Sequence, residues 1–114
     1  MALTAARVRA LALKLENTEE KPHFDRAAFR TPKRIFMTMA ADGKSVNFMF
    51  DALTQEHYCA MGPEAFAPVP GGWGAMGATT CTLKAVDLAT FRSALAAAHA
   101  RAMAPAPKPK RSKS

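Results

Sequence analysis

Ile35-Phe36-Met37-Thr38-Met39-Ala40-Ala41-Asp42-Gly43-Lys44-Ser45-Val46-Asn47-Phe48-Met49-Phe50 decides the fold. Two apolar, β-prone runs flank Asp42-Gly43, a dipeptide that suits a two-residue type I′ turn because both central residues need a positive φ. Such a turn sets the register: Met39 faces Val46, Met37 faces Phe48 and Ile35 faces Phe50. Residues directly opposite in an antiparallel pair share a face. All six are apolar, so turn chemistry and hydrophobic pattern agree on a hairpin with one buried face. The other face, with Phe36, Thr38, Asn47 and Met49, is mixed.

Upstream, His23–Arg30 reads as a further strand, joined to the hairpin through Thr31-Pro32-Lys33. Thr4 caps a first helix that runs to about Leu15, with Val8, Leu11 and Leu15 on one apolar stripe. Arg7, Arg9 and Lys14 give this stretch a superficial likeness to a transit peptide, but helical periodicity accounts for its apolar positions. Glu16–Lys21 is a polar connection, and Pro22 ends any helix before it.

Downstream, Asp51–Met61 reads as a short helix with Leu53, His57 and Met61 at fourfold spacing, stopped by Gly62-Pro63. Pro63–Gly74 reads as an extended loop, punctuated by Pro and Gly and carrying the chain's only tryptophan, Trp73. Thr79–Lys84 alternates like a strand, with Thr79, Cys81 and Leu83 on one side. Asp87 caps a last helix whose stripe is Leu88, Phe91, Leu95, Ala98 and Ala102. Met37, Met39, Met49 and Met61 fall at core-like positions as gap fillers. The order α-β-β-β-α-β-α gives an α+β fold, a two-layer sandwich of an antiparallel sheet packed against helices. Residues 1–104 make one domain. Residues 105–114, Pro- and Lys-rich, read as a disordered basic tail.

The 114 residues carry a net charge of +7. Lys108, Lys110, Arg111 and Lys113 supply four of the seven charges, which leaves +3 for the body. A basic balance of this kind suits an anionic partner, and equally suits solubility. Cys59 and Cys81 form no CxxC pair and fit a reducing, cytoplasmic setting as two small buried hydrophobes. No apolar run approaches the ~20 residues of a membrane span.

Three blocks carry a family resemblance: Pro22-His23-Phe24-Asp25-Arg26-Ala27-Ala28-Phe29-Arg30, then Lys33-Arg34-Ile35-Phe36 with Asp42-Gly43, and then Pro63-Glu64-x-Phe66-x-Pro68-Val69-Pro70-Gly71-Gly72-Trp73-Gly74. Together with the closing helix Asp87–Met103, they make residues 4–104 resemble the MmcQ/YjbR family. The resemblance implies a two-layer α/β domain with a secretion-chaperone-like or frataxin-like shape, and a DNA-binding label tied to a double-wing arrangement. It implies no enzymatic activity and no catalytic residues. The chain departs from the family pattern at Ala78 and at Ala98-His99, where tryptophan is usual after Gly77 and in the last helix. Any binding surface built on those aromatics is reduced here.

No Gly-x-Ser-x-Gly elbow, phosphate-binding Gly-rich loop or His-Glu-x-x-His motif is present. The expectation is therefore a protein with no catalytic residues, metal or cofactor. His23, Asp25 and His57 form a site only if the fold brings them together; otherwise they are ordinary polar residues. Two candidate regions remain. In a strand, Arg26 and Arg30 point to one face, and with Lys33 and Arg34 nearby they can meet phosphates or simply be solvated. The tail cations Lys108, Lys110, Arg111 and Lys113 extend that reading. The second region is a partner or ligand loop of His23, Gly71, Gly72, Trp73 and Gly74. Trp73 is either a plug folded onto the sheet edge, the reading we favour, or an exposed aromatic that stacks on a base or fills a partner's pocket. The function expected is weak or non-specific DNA binding. The alternative is a module that binds a protein or a small ligand through the Trp73 loop.

Overall fold

The structure, a computed structural model, describes residues 3–104. Six strands form one antiparallel sheet: β1 (Glu19–His23), β2 (Arg26–Arg30), β3 (Ile35–Met39), β4 (Ser45–Met49), β5 (Phe66–Pro68) and β6 (Ala78–Thr82). Their order across the sheet is β1-β2-β3-β4-β6-β5. The helices are α1 (Ala5–Leu13), α2 (Ala52–Met61), the short α3 (Gly72–Ala75) and α4 (Leu88–Met103). The α+β class and the sheet-on-helix layering are as expected from the sequence.

The central hairpin has the expected register over Met39–Val46 and Met37–Phe48. Its turn differs. Only Gly43 is left-handed, at φ 69°, whereas a type I′ turn needs two such residues. Instead the Gly43 N–H donates to the Ala40 carbonyl (2.9 Å), and the Lys44 N–H donates to Asp42 Oδ1 (2.9 Å).

The ladder between β3 and β4 stops at Met37–Phe48, so Ile35 does not pair with Phe50. The cause is a bulge. Phe29 pairs with Met37 but Arg30 pairs with Ile35, leaving Phe36 as an extra residue in β3. Phe36 and Met37 are consequently both fully buried, while Ile35 is half-buried.

Four segments differ from the sequence reading. His23–Arg30 is a hairpin bend and not a single strand: β1 pairs with β2 around a two-residue turn at Phe24-Asp25. The polar composition of Glu19–His23 hides a strand because β1 is an edge, where Pro22 and charged side chains are tolerated. The Pro63–Gly74 loop contains β5, a three-residue edge strand, and the start of α3. The strand expected over Thr79–Lys84 ends at Thr82 and gives way to a 3-10 turn, Leu83–Ala85. The fourfold spacing in α2 marks its solvent side: Leu53, His57 and Met61 are exposed, and Tyr58 faces the core. Met61 is therefore no core filler, and Met49 is only half-buried.

All three long helices lie on one face of the sheet. Phe91 of α4 packs on Phe48, with ring centroids 5.5 Å apart. Tyr58 of α2 stacks on Phe50 (5.3 Å) and meets Phe66 (5.2 Å). Val8 and Ala12 of α1 complete the cluster with Phe29, Met39 and Val46. Alanines at 94, 98 and 102 are buried and let α4 approach the strands closely. Its C-terminal end is tied down by the buried Thr31 hydroxyl, which donates to the Ala102 carbonyl (3.1 Å). His99 packs edge-on against Phe36 and its Nε2 hydrogen-bonds to the Glu16 carbonyl (2.7 Å). Where the resemblance leads one to expect a tryptophan, this helix uses a histidine to anchor the α1–β1 connection.

Candidate nucleic-acid interface

Side chains alternate across a strand, so the register fixes which residues share the face opposite the helices. On β1 they are Glu19, Lys21 and His23, which pair with Arg30, Ala28 and Arg26 of β2. Across β3, β4 and β6 the same face carries Thr38, Asn47 and Thr80. Its strand residues therefore include three cations, Lys21, Arg26 and Arg30, and one carboxylate, Glu19. Lys21 Nζ lies 3.8 Å from Glu19, an exposed pair of little energetic weight. The other acid of β1, Glu20, points to the helix side. There it grips Arg9 with two bonds of 2.8 and 3.0 Å, which holds the guanidinium above its ordinary pKa.

The arginines of the open face are partly ordered. Arg26 lies across the sheet, its Nε donating to Thr38 Oγ1 (2.9 Å). Arg30 Nε donates to the Thr31 carbonyl (3.2 Å). A guanidinium has five N–H donors in a planar fork, so both remain able to meet an anion. The centre of the face is polar: Thr80 Oγ1 donates to Asn47 Oδ1 (2.8 Å).

Lys33 is exposed and Arg34 half-buried in the turn that follows β2. Thr31 builds that turn, its Oγ1 accepting from the N–H groups of Lys33 (3.2 Å) and Arg34 (3.3 Å). The four predicted cations thus form a line along β2. Arg26 and Arg30 are separated by about 13 Å, four residues at ~3.3 Å each, and Lys33 and Arg34 extend the line beyond the end of the strand.

Trp73 is not a plug. It is 69% exposed, and Met76 beside it is 73% exposed. The glycines of this loop fold the backbone inward and turn the indole out. Gly71 is left-handed (φ 85°), and a Cβ on Gly74 would collide with the Val69 carbonyl. Gln55 of α2 holds the loop from below, its Nε2 donating to the carbonyls of Gly74 (2.8 Å) and Ala78 (3.1 Å).

His23 does not join the glycines of this loop. It ends β1 at one edge of the sheet, while the loop leads into β6 from the opposite end of the strands. His57 is likewise remote from His23 and Asp25, because α2 packs on β5 at the far edge. The fold therefore does not assemble the three residues into a site. Among the described residues no group of three or more His, Cys, Asp or Glu side chains is placed to hold a metal ion. Burial pushes the Cys81 thiol up to about 12 and raises that of the half-buried Cys59, so neither is an activated nucleophile. The tail cations Lys108, Lys110, Arg111 and Lys113 lie outside the described residues.

No protein-family model and no curated protein matches the sequence. Among solved structures the fold does find a match. The fold is similar to that of Deinococcus radiodurans protein DR2400, a DUF419-domain protein, with a TM-score of 0.70. The match covers 83% of this chain and 75% of that one, at 17% sequence identity. At that identity the likeness is one of fold. DUF419 is the MmcQ/YjbR-like family whose motifs the sequence resembles. No helix among the described residues is long and apolar enough to cross a membrane.

Sequence reasoning missed Lys21, because β1 went unrecognised. It also missed Arg101, whose Nη1 reaches the Met49 carbonyl (3.4 Å) from the last turn of α4. Alternation of Lys21 and His23 around Pro22 is the signal that could have found the first. Nothing local in the sequence points to the second.

Proposed function

We propose that this chain is an MmcQ/YjbR-type cytoplasmic protein that binds nucleic acid weakly and without sequence readout, and that it performs no catalytic step. The observation that carries this reading is the helix-free face of the sheet, where Lys21, Arg26 and Arg30 stand against the single carboxylate Glu19 and lead into Lys33 and Arg34. Contacts from such cations go to phosphates, which position a nucleic acid and confer affinity but carry no base information.

The test uses the full chain and two fourfold variants. One carries Gln at Arg26, Arg30, Lys33 and Arg34; the other carries Gln at Lys108, Lys110, Arg111 and Lys113. Fluorescence anisotropy with a labelled oligonucleotide at several salt concentrations reads both affinity and salt slope. The face variant is expected to bind most weakly, with the slope of log K against log salt reduced by up to about 3, four contacts at ~0.7 each on a single strand. Unchanged binding by the face variant, with binding lost in the tail variant, would remove the folded domain from the interaction.

A further inference from the structure

We infer that Trp73 is a stacking platform that makes this chain prefer single-stranded nucleic acid, with unpaired bases, over duplex. The inference rests on the phosphate-binding reading above and adds the class of nucleic acid.

Three observations carry it. The first is the exposure of the indole: a tryptophan usually buries most of its surface, and Trp73 leaves 69% of its own in solvent. The second is the rigidity of its mount. Met76 N–H donates to the carbonyls of Gly72 (3.2 Å) and Trp73 (3.1 Å), so residues 72–76 form a closed turn. Gly77 N–H donates to the Gly74 carbonyl (3.0 Å), and Gln55 clamps the same carbonyl from below. At i and i+3 of that turn, Trp73 and Met76 project to the same side as one apolar knob. An aromatic held outward in this way loses little entropy when a planar ligand covers it.

The third observation is position. The Trp73 loop enters β6 at Ala78, which pairs with Met49 at the end of β4. That end of the sheet also holds Arg30 and Ile35 of β2 and β3, the Lys33-Arg34 turn, and Arg101 reaching the Met49 carbonyl. From β2 to β6 is three strand spacings, about 15 Å at ~4.8 Å each. Four or five stacked nucleotides at ~3.4 Å per phosphate span that distance. One strand can therefore lay its phosphates on Arg30, Lys33 and Arg34 and offer a base to Trp73. This combination of cations and an exposed aromatic is how proteins hold single strands without sequence readout. In a duplex the bases are already stacked on one another, so Trp73 has no free base face to cover.

Because Trp73 is the only tryptophan, its fluorescence reports on the site directly. Oligo(dT) and a duplex of equal length are titrated into the full chain, into Trp73→Ala and into Trp73→Phe. The exposed position leaves the fold intact in both variants, which far-UV circular dichroism checks. Expected are quenching of the native fluorescence by oligo(dT) and not by duplex, and tighter binding of the single strand. Trp73→Ala is expected to lose single-strand affinity by about 5- to 150-fold, the range for one stacked base, and Trp73→Phe to recover most of it. Duplex affinity should be the same in all three proteins. Equal binding of both forms, without quenching and unaffected by Trp73→Ala, overturns the stacking inference and leaves the phosphate-binding reading standing. Absence of binding to either form overturns both.

Discussion

Phe24 occupies the tip of the β1–β2 hairpin at φ 60° and is 93% exposed. The left-handed region costs a bulky L-residue about 1–2 kcal/mol, and here no burial of the ring offsets it. Asn adopts this conformation more readily without adding glycine's backbone freedom to the unfolded chain. Phe24→Asn is therefore expected to stabilise the protein by about 0.5–1 kcal/mol, seen as a higher urea midpoint with an unchanged m-value. Gly74 is the opposite case. Any Cβ there meets the Val69 carbonyl, a backbone atom that cannot swing aside. Gly74→Ala is expected to cost about 1–3 kcal/mol, the usual range for forced overpacking. Thermal denaturation followed by circular dichroism measures it. The same glycine sets the outward pose of Trp73, so Gly74→Ala is also expected to weaken single-strand binding.

At the scale of elements, α2 and α4 begin on carboxylates. Asp51 accepts from the Thr54 N–H (2.8 Å) and Asp87 from the Thr90 N–H (2.7 Å). These bonds are the main cause that holds both carboxyls below the ordinary carboxylate pKa. A folded pKa below the unfolded value means that the unfolded chain takes up protons first as pH falls. The stabilisation is thus present in full above the unfolded value, about pH 4, and is lost as pH drops through the lower folded value. Urea midpoints should fall from pH 5 to pH 2, and less steeply in the Asp51→Asn, Asp87→Asn double variant, whose amide caps do not titrate. Helix packing separates in the same way. Phe91→Ala should cost about 3–5 kcal/mol, because Phe91 is fully buried against Phe48. Leu53→Ala should stay within about 0.5 kcal/mol, since Leu53 is 77% exposed on α2.

That contrast shows what was legible. Thr4 and Asp87 were readable as caps because a cap is a local device, and Met39–Val46 pairing was readable because a turn fixes register. The side of α2 that meets the core was not: Leu53, His57 and Met61 share helical spacing whichever way they point, and only Tyr58's contacts with Phe50 and Phe66 settle it. The edge strand β1 was hidden because an edge needs no apolar alternation. The bulge at Phe36 leaves no local mark, and it moves Ile35 out of the expected pairing.

For the whole molecule, one asymmetry organises the rest. All long helices cover one face of the sheet, and the other face carries a line of cations beside a centre of Thr38, Asn47 and Thr80. The period-two alternation of Arg26 and Arg30 made half of that face readable in advance, whereas Lys21 came into view only with the strand order, and the outward pose of Trp73, expected as a plug, only with the loop's fold. His23 was grouped with the glycine loop because sequence gives no strand order, and the sheet separates them.

The most direct test is an amide-resolved NMR titration of the full chain with a short oligo(dT). The expected shifts cluster on β1, β2 and the Lys33-Arg34 turn, and extend through Gly72–Ala78, while amides of α1 and the first turns of α4 stay in place. Shifts confined to residues 105–114, or centred on the helix side of the sheet, would contradict the assignment of the helix-free face as the binding surface.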